Sequence, residues 1–271
     1  MDKKIGFIGS GNMAGAIIKG IIKADLVKPE QIMAADICEK RLQELKKELG
    51  IETTTENKKV AAWADILFLA VKPNMFEKVI PELSKERNPE GLVISIAAGQ
   101  TIQGIEELFG GELRLIRVMP NTPAMVGEGM ASISPNQLAL PEDIEAAIEV
   151  FNSIGKSEVV EEKLMDAVIG ISGSSPAYVY MFIEAMADAA VMGGMPRTQA
   201  YRFAAQAVLG SAKMVLETGL HPGELKDMVC SPAGTTIEAV AELEKQGFRK
   251  AVIEGCRACM KKSKEMSEKK K

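Results

Sequence analysis

The hydrophobic pattern of the chain changes character after about residue 160. Before that point, short apolar runs alternate with stretches of helical periodicity; the runs are KKIGFIG, QIMAAD, ILFLAV, LVISIA and LRLIRVMP. Near-continuous apolar runs of this length are typical of strands buried on both faces of a parallel sheet. Their alternation with helices predicts an α/β fold with a doubly wound, mostly parallel sheet over residues 1–160.

The remainder of the chain, residues 161–271, shows only helical periods. The predicted helices cover Lys163–Ile171, Pro176–Met192, Arg197–Thr218, Pro222–Val229, Thr236–Gln246 and Phe248–Glu268. Several are apolar on more than one face, which a single small helical layer does not bury. We therefore expect an all-helical C-terminal domain in which a second copy of the chain covers part of this surface.

The first chemical signal is the segment GSGNMA, which fits the pattern G-x-G-x-x-G/A and joins the first strand to an amphipathic helix. Gly9 permits the tight turn, Gly11 lets the backbone approach a pyrophosphate, and Ala14 keeps the helix close to the sheet. The free N–H groups of the helix start favour phosphate. A purely structural glycine turn is the alternative. The placement favours a Rossmann-type dinucleotide-binding domain over residues 1–160.

Asp36 ends the second predicted strand, where an acidic residue often accepts the adenosine ribose 2′-hydroxyl. A carboxylate there repels the 2′-phosphate of NADP, so the residue favours NADH, although Lys40 and Arg41 follow one turn later. The alternative is that Asp36 only caps the next helix.

Two later strands end in segments of the same kind, AVKPN and SIAAGQT. They lie where ligands bind in open α/β sheets, at the carboxyl ends of the strands. For Lys72, the alternative is an ordinary exposed lysine.

Composition excludes several other classes of protein. The 271 residues carry a net charge of −4, which does not favour nucleic acid. Glu184 and Asp188 interrupt the most apolar segment, so we interpret it as a buried helix and not as a membrane span. Met1 to Lys4 lead directly into a strand without a secretory signal, and we expect a cytoplasmic location.

The four cysteines do not predict a metal site. Cys256 and Cys259 have the spacing C-x-x-C, but no second pair or neighbouring histidine completes a tetrahedral set. We expect no metal and reduced thiols.

Two small polar turns stand out in the helical half, GISGSSPAYV and CSPAGTTIEAV. Helix capping accounts for one or two hydroxyls in each turn. The turns carry more than that: Ser172, Ser174 and Ser175 in the first, and Ser231, Thr235 and Thr236 in the second. Hydroxyls beside the free N–H groups of a helix start predict a binding site for a small carboxylate.

These motifs together resemble the pyrroline-5-carboxylate reductases, which catalyse the last step of proline biosynthesis. The resemblance extends essentially from end to end. Its carriers are GFIGSGNMAGAI, LAVKPN, SIAAGQTI, RVMPNTPAMVGEG, SGSSPAYVY and, as the most specific stretch, PGELKDMVCSPAGTTIEAVAELE. Many members carry a small polar or basic residue where this chain has Asp36, so the resemblance leaves the choice between NADH and NADPH open.

The resemblance implies an oxidoreductase that transfers hydride from NADPH or NADH to the C=N carbon of 1-pyrroline-5-carboxylate and forms L-proline. It implies that Thr236 is catalytic and bonds the ring nitrogen. It also implies an interlocked homodimer that often assembles into a larger ring. With the polar turns included, the expected substrate-binding residues are Ser175, Ser231, Gly234, Thr235 and Thr236. With Ala14 and Asp36 included, the expected cofactor-binding residues are Ile8, Gly9, Ser10, Gly11, Asn12, Met13, Ala14, Asp36, Asn57, Ala70, Val71, Lys72, Pro73, Ala97, Ala98 and Gly99.

The lack of an obvious proton donor is compatible with this chemistry. The single histidine, His221, precedes Pro222 and is interpreted as a residue that flanks a helix. A carbonyl reductase normally needs a positioned acid. An imine, in contrast, can arrive protonated as an iminium, so orientation and a hydrogen bond between its nitrogen and Thr236 suffice.

Two alternative functions are kept. A β-hydroxyacid dehydrogenase-like reductase would carry a lysine one or two turns after the glycine-rich turn of the helical domain, whereas here the first lysine after SGSSPAYV is Lys213. A non-catalytic NAD(P) sensor is expected to have a damaged second site, whereas the turn SPAGTT is intact.

Overall fold

The computed structural model describes residues 1–268 and divides into two compact units. Among the described residues, the first unit contains Met1–Gly173 together with Cys259–Glu268, and the second contains Ser174–Ala258. The predicted domains, 1–160 and 161–271, remain a prediction about folding units, and the last three residues of the second domain lie outside the described range.

An eight-stranded sheet forms the centre of the first unit. Its strands are β1 (Ile5–Ile8), β2 (Ile32–Ala35), β3 (Glu52–Thr54), β4 (Ile66–Leu69), β5 (Leu92–Ser95), β6 (Arg114–Met119), β7 (Gly129–Pro135) and β8 (Gly155–Val159). The spatial order is β3-β2-β1-β4-β5-β6-β7-β8, and only the β6–β7 pair is antiparallel. The predicted α/β class with a Rossmann-type, mostly parallel sheet is confirmed.

Helices cover both faces of this sheet. They are α1 (Asn12–Lys23), α2 (Glu39–Leu49), α3 (Asn57–Trp63), α4 (Phe76–Ser84), α5 (Ile102–Phe109), α6 (Pro141–Asn152) and the short α7 (Met165–Val168). Two separate apolar cores result. In the first core, residues of α1 and α6 pack against strand residues on one face of the sheet, such as Phe7. In the second core, residues of α3, α4 and α5 pack against strand residues on the opposite face, such as Ile8.

Strands β3, β7 and β8 were not predicted, because they lack a continuous apolar run. β3 is a three-residue edge strand with the sequence ETT, and β8 is the opposite edge with the sequence GKSEV. In β7, Ser132 and Ser134 occupy buried positions. The hydroxyl of Ser134 is satisfied there by the Val160 carbonyl oxygen at 2.7 Å. Polar residues at such positions hide the period on which the prediction depends.

The helical half contains α8 (Ser175–Met192), α9 (Arg197–Thr218), α10 (Pro222–Val229), α11 (Thr235–Lys245) and α12 (Phe248–Glu268). The predicted bounds of these five agree within one residue. The helix predicted over Lys163–Ile171 is wrong in detail, because α7 is preceded by a 3-10 turn (Glu162–Leu164) and followed by a π-helical turn (Ile169–Gly173). Gly170 and Gly173 in that segment disfavour a regular α-helix.

Within residues 1–268, no helix is long and apolar enough to span a membrane.

Candidate functional site

The glycine turn between β1 and α1 lies against the ends of two neighbouring strands. Gly9 has φ +97°, and its N–H donates to the Ala35 carbonyl oxygen at the end of β2 at 2.8 Å. A Cβ at Gly9 would stand 2.8 Å from the Ala70 carbonyl oxygen, just beyond β4. Both the backbone conformation and this close approach require glycine.

Gly11 leaves open space at the start of α1. A Cβ added at Gly11 would meet no atom of the described residues within 4 Å. No side chain among residues 1–268 caps the start of α1 with a hydrogen bond. Ala14 is buried against the sheet. The first amides of α1 thus face a surface with room for a phosphate group, which helix N-termini bind through their N–H groups and dipole. The turn fits a dinucleotide.

The Asp36 carboxylate is bonded to this turn. Its Oδ2 accepts from the backbone N–H of Ser10 at 2.8 Å and from the Ser10 hydroxyl at 2.7 Å. Its Oδ1 accepts from the backbone N–H of Cys38 at 3.0 Å. Burial raises the pKa of Asp36, but these hydrogen bonds outweigh it, so the pKa lies below the ordinary value for aspartate. The group is an anion at the edge of the glycine turn.

Arg41, on the first turn of α2, also contacts the glycine turn. Its Nε donates to the Ser10 carbonyl oxygen, and its Nη2 donates to Asn12 Oδ1 at 3.1 Å. The sequence identified Arg41 only as a cation near Asp36, since its partners lie about thirty residues away in the chain.

The turns after β4 and β5 meet at the same edge of the sheet. The Ala70 N–H donates to the Ile8 carbonyl oxygen at 2.9 Å. Farther along, Gln100 Nε2 donates to the Pro73 carbonyl oxygen at 3.2 Å and ties the two turns together. Sequence reasoning missed Gln100, which is buried, and no local signal marks a contact across 27 residues.

The predicted cofactor residues therefore fall on one edge of the sheet in several short segments. Ile8 ends β1, Gly9–Gly11 form the turn, Asn12, Met13 and Ala14 begin α1, Asp36 follows β2, Ala70, Val71, Lys72 and Pro73 follow β4, and Ala97, Ala98 and Gly99 follow β5. Lys72 is exposed. Asn57 is the first residue of α3, and its Nδ2 donates to Glu82 Oε1 on α4 at 2.9 Å.

The first polar turn of the helical half is held by an asparagine from the RVMPNTP segment. Asn121 Nδ2 donates to the Ser172 carbonyl oxygen at 3.2 Å and to its hydroxyl at 3.3 Å. Asn121 Oδ1 accepts from the Met130 N–H at 2.9 Å. Ser175 is the first residue of α8.

The second polar turn, Ser231–Thr236, has the backbone of a specialised helix start. Ala233 has φ +56°, and Gly234 is the N-cap of α11, which begins one residue earlier than predicted, at Thr235. A Cβ at Gly234 would collide with the Ser231 hydroxyl. No side chain of the described residues caps α11, and the Thr236 side chain is partly exposed. The free amides and the hydroxyls of the turn fit a small carboxylate ligand.

Within residues 1–268, none of the four cysteines forms a disulfide. In the described part of the chain, no three side chains of histidine, cysteine, aspartate or glutamate gather into a group that would hold a metal ion.

Two family models match the chain. Residues 162–266 match the model of pyrroline-5-carboxylate reductase dimerisation. Residues 4–99 match the model of coenzyme F420-dependent NADP oxidoreductases. The two matches fall on the helical half and on the strands around the glycine turn.

Named relatives cover nearly the whole chain. The pyrroline-5-carboxylate reductase of Escherichia coli (strain K12) is 54% identical, over 98% of this chain and 99% of its own length. That of Methanosarcina acetivorans is 49% identical, over 99% of each. The crystal structure of Plasmodium falciparum pyrroline carboxylate reductase with NADP bound matches with a TM-score of 0.88 and 34% identity, over 98% of each chain. The chain belongs to the pyrroline-5-carboxylate reductase family.

Proposed function

We propose that this chain reduces the C=N bond of 1-pyrroline-5-carboxylate to L-proline with hydride from NADPH or NADH. The observation that supports the proposal most is that one family member has both an open glycine turn and a polar, uncapped helix start. The glycine turn is open at Gly11, and the turn Ser231–Thr236 has the free amides of α11. Neither the hydroxyacid reductase nor the sensor has support of this kind.

On the cofactor side, the residues of the chain bind and orient. The amides at the start of α1 hold the pyrophosphate, and Asp36 is positioned for the adenosine ribose. The turns after β4 and β5, including Ala70 and Ala97, line the remainder of the site. The bound cofactor supplies the hydride. The predicted contact of Asn57 is the least supported of the set, because its side-chain amide is bonded to Glu82.

The turn before α11 binds the pyrroline ring of the substrate. The carboxylate of the substrate accepts from amides at the helix start, where the dipole favours a negative charge. The Thr236 hydroxyl bonds the ring nitrogen and fixes the orientation of the imine carbon. Ser231, Gly234 and Thr235 shape the turn, since a side chain at Gly234 would displace the Ser231 hydroxyl. The iminium form needs no further acid, so orientation provides much of the rate.

The helical half, residues 161–271, is proposed as the substrate-binding and dimerisation domain. Its boundary is supported by the dimerisation model, which begins at residue 162. In α8, among the described residues, only Ala187 is buried, and in α9 only Ala200 and Ala204. Large apolar side chains on these helices are exposed, including Phe203 at 67%. A second copy of the chain that interlocks with these helices would bury their exposed apolar side chains. The proposal also includes assembly of the dimers into a larger ring and a cytoplasmic location.

The experiment is to follow the loss of reduced-cofactor absorbance with purified full-length protein and 1-pyrroline-5-carboxylate, with NADH and NADPH in parallel. We expect turnover that requires the substrate with at least one of the two cofactors. 3-Hydroxyisobutyrate with NAD+ or NADP+ is the control for the hydroxyacid alternative. Lack of turnover with the imine by folded protein would refute the proposal.

A further inference from the structure

We infer that Asp36 sets the cofactor choice toward NADH and that Arg41 acts on the glycine turn instead of binding a 2′-phosphate. This inference rests on the proposed function only in that the ligand is NADH or NADPH. It concerns the Ser10–Asp36–Arg41 cluster, by which we mean these three side chains and the bonds that join them.

The hydrogen bonds of Asp36 leave a defined place for a ribose hydroxyl. A carboxylate offers about four acceptor positions on its two oxygens. Ser10 fills both positions of Oδ2, through its N–H at 2.8 Å and its hydroxyl at 2.7 Å. Oδ1 accepts one bond, from the Cys38 N–H at 3.0 Å, and keeps one position. A hydroxyl can donate to that position, whereas a phosphate dianion has only acceptors to offer.

The anion cannot move away to admit a phosphate without breaking the turn. Withdrawal of Asp36 would leave the buried Ser10 hydroxyl and N–H without their acceptor, and unsatisfied buried donors are costly. The lowered pKa of Asp36 keeps the group ionised at neutral pH. A 2′-phosphate would therefore face a fixed negative charge.

Arg41 is the nearby cation that would be expected to compensate, but two of its five N–H donors already hold the guanidinium on the glycine turn. Nε is bonded to the Ser10 carbonyl oxygen and Nη2 to Asn12 Oδ1. Both acceptors belong to the segment that either cofactor contacts. The geometry therefore assigns Arg41 as a positioning residue that supports the turn equally for NADH and NADPH.

The test measures binding of NADH and NADPH to the full chain, without substrate, by cofactor fluorescence or calorimetry. We compare the unaltered protein, Asp36→Ser, Arg41→Gln and the control Lys40→Gln, which removes an exposed positive charge one residue away. We expect NADH to bind more tightly than NADPH by about tenfold or more. Asp36→Ser should remove most of that ratio. Arg41→Gln should weaken both cofactors by similar factors, and Lys40→Gln should change neither more than about twofold.

Three results would overturn the inference. They are a ratio near one or in favour of NADPH in the unaltered protein, an unchanged ratio in Asp36→Ser, and a selective loss of NADPH affinity in Arg41→Gln. The last result would show that the guanidinium contacts the 2′-phosphate. Because no imine is present, these outcomes are independent of whether the chain reduces 1-pyrroline-5-carboxylate.

Discussion

The carboxylate of Glu162 accepts a hydrogen bond from Arg117 Nη1 at 2.8 Å, and the Arg117 side chain is almost wholly buried on β6. The same oxygen, Oε1, accepts from the N–H of Ile102, the first residue of α5, at 2.8 Å. Glu162 thus ties the start of the helical half to β6 and to the helix that follows the Ala97–Gly99 turn. A buried guanidinium depends on such a partner.

For Glu162→Gln we expect a loss of about 1–3 kcal/mol in the free energy of unfolding, because a neutral amide replaces the charged partner of a buried cation. Urea denaturation at neutral pH measures it. The matched control is Glu161→Gln, whose pair with Lys163 is exposed, with side chains about 70% accessible. The control should change stability by less than about 0.5 kcal/mol. Equal losses in the two variants would contradict the role of Glu162.

The glycine turn gives a pair of variants that separates folding from binding. Gly9→Ala places a Cβ 2.8 Å from the Ala70 carbonyl oxygen at φ +97°, so we expect a loss of about 1–3 kcal/mol in stability together with weaker NAD(P)H binding. Gly11→Ala has space around the new methyl group and φ −58°. It should keep the stability within about 1 kcal/mol but lose cofactor affinity, because the methyl group enters the proposed phosphate position.

Calorimetric binding and thermal unfolding of both variants check this prediction. Full cofactor affinity in Gly11→Ala would show that the phosphate does not bind at this turn.

Much of the candidate site can be predicted from the sequence, because the motifs that mark it are local. The turn around Gly9 and the position of Asp36 lie at strand ends that apolar runs mark, and the turn before α11 has a specific motif. The contacts that stabilise these segments are not local. The bonds of Asn121 to Ser172 and of Gln100 to Pro73 join residues far apart in the chain. Their formation depends on the tertiary fold, which no short-range pattern encodes.

The strands of the sheet also differ in how strongly the local sequence marks them. The inner strands β1, β2, β4, β5 and β6 were predicted because burial on both faces demands apolar residues. The edge strands β3 and β8 face solvent and are polar, so they carry no comparable signal. The 3-10 and π-helical turns within Lys163–Ile171 were missed because the apolar spacing there continues the helical period.

Thr236→Ala should lower kcat/KM for 1-pyrroline-5-carboxylate by about 10–100-fold, the cost of one hydrogen bond to a charged group. NAD(P)H affinity should remain nearly unchanged. Steady-state kinetics and cofactor binding measure the two effects. Thr236→Ser keeps the hydroxyl and is expected to retain most of the activity. Unchanged turnover in the alanine variant would remove Thr236 from the mechanism.

Charge on the exposed apolar surface of α9 should disrupt self-association. Phe203→Glu introduces a carboxylate at a side chain that is 67% exposed in the single chain. Light scattering should give at least a dimer for the unaltered protein and a smaller species for the variant, since burial of an unpaired charge is costly. The control Lys78→Glu, an exposed position on α4, should not change the assembly. A monomeric unaltered protein would contradict the proposed dimer.

Isotope transfer shows whether hydride passes from the cofactor to the imine carbon. The protein is supplied with 1-pyrroline-5-carboxylate and cofactor deuterated at nicotinamide C4 on the transferred face, and the proline formed is analysed by mass spectrometry. We expect L-proline one mass unit heavier, with the deuterium on the former imine carbon. Proline without the label, or oxidised cofactor without proline, would contradict it.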